Sequence, residues 1–103
     1  MGLKAIKTIA LNIREEQCDA KKYAKLALEY AGIDRALGDM YHELARQEQE
    51  HASIQHEHAV RLIGEFTRSG KAVPEAMQAV WDWEHEHMIE EEIEISKMID
   101  MYK

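Results

Sequence analysis

Two pairs of residues in this sequence have the spacing of metal ligands, Glu48 with His51 and Glu84 with His87. Both pairs are Glu-x-x-His, so on a helix a carboxylate oxygen and an imidazole nitrogen lie on adjacent turns of one face. Carboxylate oxygens with one imidazole nitrogen suit iron or manganese better than a metal that prefers soft ligands. The chemistry that these pairs predict is binding of a divalent transition metal, with redox chemistry if that metal is iron.

Two further glutamates, Glu16 and Glu91, interrupt helix faces that are otherwise apolar. An unpaired carboxylate on a buried face is costly, and several together cost more because they repel each other. Such groups must be protonated, paired with cations or bound to a metal. Most Lys and Arg residues fall on the outer sides of the helices, which favours a metal. The candidate metal ligands are Glu16, Glu48, His51, Glu84, His87 and Glu91.

Glycine and proline interrupt the chain in only two internal places, around Gly32 and just before Pro74. Gly32 suits the end of one helix and Asp34 the start of the next, while Pro74 suits the first turn of a third helix. Between these breaks apolar residues recur at helical spacing. The predicted helices span roughly 3–31, 34–69 and 74–102.

We therefore predict an all-α fold, with one domain over residues 1–103 and three long helices joined by short loops. Short loops make consecutive helices antiparallel neighbours. Three such helices form a thin core for a chain of 103 residues. A homo-oligomer, a dimer or larger, is therefore expected to complete the bundle.

Counting residues from the loops predicts which candidate ligands meet. A hairpin folded about residues 32–33 places Glu16 and Glu48 at the same height. A second hairpin folded about residues 71–72 brings Glu91 close to His51. The Glu-x-x-His pair of the third helix then stands one to two turns further along. It either completes the same site from a partner chain or forms a second site.

Composition excludes several classes of partner. Lys and Arg total 13 against 20 Asp and Glu, which gives a formal charge of −7. That balance argues against nucleic acid and against an anionic membrane surface. The single cysteine, Cys18, fits a reducing compartment, and no signal peptide or membrane-spanning run is visible. We expect a cytoplasmic protein.

A lone Glu16 on the first helix, followed by Glu48-x-x-His51 on the second, resembles the ferritin-like superfamily of di-iron carboxylate proteins. The resemblance is to its short members, the encapsulated ferritins and rubrerythrin-like proteins, and covers residues 10–60. It implies a ferritin-like helical bundle with Glu16, Glu48 and His51 as iron ligands from each chain. In encapsulated ferritins a two-fold partner supplies the other half of the site. Ligands from the third helix would instead make the pattern similar to rubrerythrin, with a site complete in one chain.

Two functions from different classes follow as hypotheses. The first is a non-haem di-iron protein that oxidises Fe(II) with oxygen or peroxide, which gives ferroxidase activity with iron sequestration or peroxide detoxification. Manganese or zinc could take the place of iron. The alternative is a non-enzymatic helical oligomerisation or adaptor module, or a phage-associated structural protein, whose polar core seam fixes its register. The residues leave open whether the chain is an enzyme.

The remaining polar and aromatic residues are interpreted as structural. His42, His56 and His85 are expected on the surface. Tyr23 and Tyr41, one to two turns from the proposed site, are expected in the core or as electron relays. Gln55 and His58 are possible hydrogen-bond partners of a ligand.

Overall fold

A computed structural model describes residues 2–70 and 73–103, and three helices account for nearly all of them. They are α1 over Gly2–Tyr30, α2 over Arg35–Arg68 and α3 over Glu75–Met101. The predicted all-α fold with three long helices is confirmed, and each helix end lies one residue from its predicted position. Part of the predicted second break, residues 71–72, lies outside the described residues. No helix in the described part of the chain has an apolar stretch long enough to cross a bilayer.

Local hydrogen bonds explain where the first two helices end and begin. The Tyr30 carbonyl accepts hydrogen bonds from the backbone N–H groups of Ile33 and Asp34, at 3.0 and 2.9 Å, and ends α1. The Asp34 side chain accepts a bond of 3.1 Å from the Leu37 N–H and caps α2. After α2, Gly70 takes a φ of +79°, a conformation that glycine adopts at little cost.

The closest packing in the molecule is between α1 and α2, which run antiparallel along a seam of mostly small residues. These residues are buried and recur every seven positions, the spacing that keeps one face of a helix toward its partner. They are Ile6, Ile13, Ala20 and Ala27 on α1, and Gly38, Ala45, Ala52 and Ala59 on α2. Small side chains let the two helix backbones approach closely. We call this contact the α1–α2 seam.

Helix α3 packs on one side of this hairpin, mainly against α1, and runs parallel to α1. Its fully buried side chain is Ile95. Polar contacts fix its position as well: buried Gln17 donates to the Met88 carbonyl at 3.0 Å, and Gln49 donates to the Ser96 hydroxyl at 2.8 Å. Helix α3 is therefore held by side-chain amides, one buried and one half-buried, as well as by apolar contacts.

The opposite side of the hairpin is covered by no other helix of the described chain. Two rows of residues at seven-residue spacing form it, and we call it the open face. They are Ile9, Glu16, Tyr23 and Tyr30 on α1, and Tyr41, Glu48, Gln55 and Leu62 on α2, all half-buried. The apolar and aromatic members of these rows leave a partly exposed hydrophobic strip on either side of two glutamates.

Candidate metal centre

The α1–α2 seam brings Glu16 and Glu48 together on the open face. Each lies sixteen positions from Gly32 in the connecting turn, so an antiparallel hairpin sets them at the same height. His51 follows Glu48 by three residues and therefore lies one turn further along α2. One ligand atom from each of Glu16, Glu48 and His51 lies within 4.8 Å of the other two.

The imidazole of His51 sits between the two carboxylates. Its Nδ1 is 3.5 Å from Glu16 Oε2 and 3.8 Å from Glu48 Oε2. The glutamate side chains are 26% and 21% exposed, and that of His51 is 53% exposed. The cluster is thus lined by helix on one side and open to solvent or to a partner on the other.

The carboxylate of Glu16 lies in an unfavourable electrostatic environment. Its Oε2 is buried and has no hydrogen-bond partner, although it belongs to a carboxylate that faces a second carboxylate. A buried acceptor without a partner costs about 1–3 kcal/mol, and more when it is charged. A cation among the three side chains removes that cost. The donor set of two carboxylates and one imidazole fits a first-row divalent metal such as iron, manganese or zinc.

The candidate ligands of α3 lie on the other side of the hairpin. Glu84 forms an ion pair of 3.5 Å with Arg14, and Glu91 one of 3.5 Å with Lys21. The ring of His87 stacks on an exposed tryptophan, with ring centroids 5.4 Å apart. The structure therefore does not bring these three to Glu16, Glu48 and His51 within one chain.

The prediction that Lys and Arg fall mostly on the outer sides of the helices, away from the candidate ligands, is wrong for Glu84 and Glu91. Arg14 and Lys21 reach them across the α1–α3 contact. Lys21 also lies 3.2 Å from Glu94, and the hydrogen bond to that carboxylate, with the nearby charge of Glu91, raises the pKa of the lysine. These two carboxylates already have cationic partners within the chain and do not need a metal.

The three histidines expected on the surface, His42, His56 and His85, are instead half-buried in contacts between α2 and α3. His42 Nε2 lies 3.2 Å from the Ile99 carbonyl oxygen. His56 of α2 is half-buried and stacks on His85 of α3, with ring centroids 5.5 Å apart and the planes inclined by 8°. Its Nε2 is buried without a hydrogen-bond partner. Burial, followed by the charge of His85, lowers the pKa of His56 from its ordinary value of 6.5. The expectation of a surface position was wrong for all three histidines because α3 packs over that side of α2.

A group of three tyrosines on the open face was only partly anticipated. Sequence spacing places Tyr23 and Tyr41 one to two turns from the site, and the structure adds Tyr30 to them. The structure stacks Tyr41 against both of the others. The signal was present in the sequence, because Tyr23 and Tyr30 follow Glu16 at seven-residue intervals and Tyr41 precedes Glu48 by seven.

Of the two residues suggested as hydrogen-bond partners of a ligand, Gln55 is half-buried in the same row as Glu48. His58 is exposed and accepts a hydrogen bond from Arg61.

Comparison with known protein families, with characterised proteins and with solved structures gives no significant match.

Proposed function

We propose that this protein is a ferritin-like, non-haem iron protein that binds Fe(II) and oxidises it with oxygen or peroxide. The observation that carries the proposal is the convergence of Glu16, Glu48 and His51 within 4.8 Å, with Glu16 Oε2 buried and without a hydrogen bond. The ferritin-like interpretation adds the resemblance of residues 10–60 to short di-iron carboxylate proteins. The outcome is the sequestration of ferric iron or the removal of peroxide by its reduction to water.

The donor atoms favour iron over softer metals. Two carboxylates neutralise the charge of a divalent ion, and a third ligand from imidazole suits Fe(II), Mn(II) or Zn(II). Of these ions Fe(II) gives an electron to oxygen most readily, and Zn(II) has no redox chemistry. Because the ligands must be deprotonated to bind, the affinity for iron falls in acid.

A second copy of the chain completes the site in this proposal. Three ligands leave open positions on a first-row ion, and the open face that carries the two glutamates also presents half-buried Tyr23, Tyr41 and Leu62. Two open faces related by a two-fold axis would bury these side chains and bring two sets of three ligands together. The proposed partner is therefore a homo-oligomer, with the metal centre at its interface.

In the proposed reaction Fe(II) is the substrate. Two Fe(II) ions give two electrons to oxygen, and two protons are taken up to form hydrogen peroxide. With peroxide as oxidant, two electrons and two protons give two water molecules. Glu16 and Glu48 supply negative charge that favours the ferric product, and His51 Nδ1 is the third donor of each chain.

The proposal is tested by anaerobic titration of the metal-free protein with Fe(II), followed by exposure to air and absorbance in the near ultraviolet. We expect saturable binding and a ferric absorption band in the wild type. Both are lost in Glu48→Gln, which keeps the side-chain shape but removes the charge. Glu57→Gln, at an exposed glutamate of the same helix, is the matched control. Equal binding in the wild type and Glu48→Gln, or none in either, contradicts the proposal.

One observation favours the non-enzymatic alternative. When protonated, His51 is itself a cation between two carboxylates, and the cluster is then an ion-paired polar seam that sets the register of a helical oligomerisation module. In that case Glu48→Ala leaves stability unchanged or raises it, and iron has no effect on the melting temperature. In the iron protein, Fe(II) raises the melting temperature of the wild type but not that of Glu48→Ala. For either function we propose a cytoplasmic location, where the exposed thiol of Cys18 stays reduced.

A further inference from the structure

The first half of α3 packs less closely than its second half and leaves a groove against α1. None of the described side chains over 75–84 is buried, whereas the second half holds the fully buried Ile95. The space beside these turns has a volume of about 490 Å³ and a mostly apolar lining. We call it the α1–α3 groove. Its walls include Leu3 and Leu11 of α1, Phe66 of α2, and Met77 and Trp81 of α3.

The apolar part of the groove has the length of a single extended acyl chain. Leu3 and Leu11 mark its two ends along α1. The ion pairs between α1 and α3 both join residues seventy positions apart, so Leu11 lies level with Trp81. The stretch of α1 from Leu3 to Leu11 is about 12 Å long, which is close to the extended length of decanoate.

The size of the groove favours a small ligand over a protein. Small-molecule sites are mostly apolar clefts of about 300–1,000 Å³, a range that includes this groove. A standard protein interface buries roughly 800 Å² on each partner, far more than a cleft about 12 Å long offers. The occupant that fits is therefore a small, largely apolar molecule.

The charge at the groove is positive, although the whole chain carries −7. Residues 2–14 of α1 contain Lys4, Lys7 and Arg14 and no Asp or Glu. Lys7 lines the groove, is exposed, and forms no ion pair within the described part of the chain. The acidic residue of the lining, Glu84, is paired with Arg14 at 3.5 Å. The groove therefore favours a ligand with one negative charge.

Lys7 also determines which end of the groove suits the charged group. Helical side chains lean toward the N-terminus of their helix, and lysine keeps its ammonium group in water. The ammonium of Lys7 is therefore expected at the rim on the side of Leu3, while Trp81 lies toward the other end. A ligand along the groove then has its charged head beside Lys7 and its apolar tail beside Trp81.

We propose that the α1–α3 groove binds a free medium-chain fatty acid, with its carboxylate at Lys7 and its tail extended toward Trp81. The tail removes from water the side chains of Leu11 and Met77, which are 52% and 39% exposed in the unliganded chain. The groove lies on the side of the hairpin that α3 covers, opposite the open face. Binding of the fatty acid is therefore independent of iron.

The first experiment measures quenching of Trp81 fluorescence by decanoate that carries bromine on its terminal carbon, below the concentration at which micelles form. The parent protein is Trp83→Phe, because Trp83 is the other tryptophan of the chain and lies outside the groove lining. We expect saturable quenching that unlabelled decanoate reverses and butyrate does not. From hexanoate to decanoate the affinity should rise about fourfold for each added methylene. Quenching that never saturates overturns the proposal.

The second experiment tests the charged end of the groove in the same parent. Lys7→Gln should weaken binding of decanoate about fivefold, the effect of one exposed ion pair, and leave binding of the uncharged alcohol decanol unchanged. Lys25→Gln, at an exposed lysine of α1 outside the groove, is the matched control and should bind both as the parent does. Equal affinity of the parent and Lys7→Gln for decanoate overturns the assignment of the head.

The third experiment fills the groove without a change of charge. Ala10 is half-buried and lines it, so Ala10→Phe should abolish binding of the brominated decanoate. Ala79→Phe, at an exposed alanine outside the lining, should retain it. Far-ultraviolet circular dichroism checks that both variants are folded. Undiminished binding in folded Ala10→Phe overturns the proposal.

Two further measurements separate a free fatty acid from other occupants. Sedimentation with phosphatidylglycerol vesicles, without saturable binding of free decanoate, assigns the surface to a membrane and overturns the proposal. Oligomers that dissociate in Ala10→Phe, again without decanoate binding, assign the groove to a second copy of the chain and also overturn it. Fe(II) titration of Lys7→Gln should match that of the wild type, so failure of the fatty-acid proposal leaves the proposed function standing.

Discussion

Individual polar side chains in this protein differ in whether the fold supplies a partner for them. Glu84 and Glu91 each have a cation across the α1–α3 contact, whereas Glu16 has one oxygen buried with no hydrogen bond. Sequence spacing predicts all three glutamates to be metal ligands, because each interrupts an apolar helix face. Only the side of the helix that α3 covers distinguishes them, and a short loop permits α3 to pack on either side of the hairpin.

His56 is the residue whose protonation should affect stability most directly. Its pKa in the folded protein is lowered by burial and by His85, so the unfolded chain takes up a proton at a higher pH than the folded chain does. The stability from neutral His56 is complete above the ordinary value of 6.5 and decreases as the pH falls below it.

We predict that His56→Phe makes the protein less sensitive to acid. Phenylalanine keeps a flat ring against His85 and removes both the titration and the buried, unpartnered Nε2. The melting temperature of the variant minus that of the wild type should increase as the pH is lowered from about 8 to about 5. All other titrating groups are common to both proteins. Parallel melting curves over this range would show that His56 is not the responsible group.

The helices and the pairing of α1 with α2 follow from local signals in the sequence. Asp34 caps α2 as predicted, and counting from the turn set Glu16 opposite Glu48. The position of α3 could not be predicted from local signals in the sequence. Its contacts depend on Gln17 and Gln49, which bond to a carbonyl and a hydroxyl of α3, and no spacing rule identifies such partners.

The α1–α2 seam should tolerate no larger side chains. Ala52 is 4% exposed and packs between the two helices next to the candidate ligand His51. We predict that Ala52→Leu destabilises the protein by about 1–3 kcal/mol, because the added volume forces the helices apart or strains the side chain. Urea unfolding followed by circular dichroism measures the change. Ala79→Leu, at an exposed position of α3, is the control and should change stability little. A loss in the control as large as that in Ala52→Leu would rule out the seam as the cause.

The chain as a whole is a rod of 56 × 19 × 16 Å. A side of that length offers more area than the roughly 800 Å² per partner of a standard protein interface. The open face is the long side that carries aromatic and aliphatic side chains together with the candidate ligands. A second copy packed on this long face would bury apolar surface that the thin core of one chain leaves partly exposed.

We predict that the wild type is a homodimer or a larger homo-oligomer and that Leu26→Asp dissociates it. Leu26 is half-buried and lies between Tyr23 and Tyr30 on the side of α1 away from α3. A charge there must be desolvated at the interface, which should weaken association by several kcal/mol. Sedimentation equilibrium measures the effect. Ile93→Asp, at a residue 53% exposed on α3, is the control. Dissociation by the control and not by Leu26→Asp would place the interface on α3.

The small residues of the α1–α2 seam have a further consequence. The separation of the two helix axes sets how far apart the Glu16 and Glu48 carboxylates stand, and methyl groups at positions 45, 52 and 59 set that separation. In the proposed metal centre these alanines would set the distance between the two carboxylate ligands without contacting the ion. Added methylenes there would widen the gap between the carboxylates and shift the preference of the site toward cations of larger radius. The ion selectivity of the proposed centre would therefore depend partly on the volume of the aliphatic packing beside it.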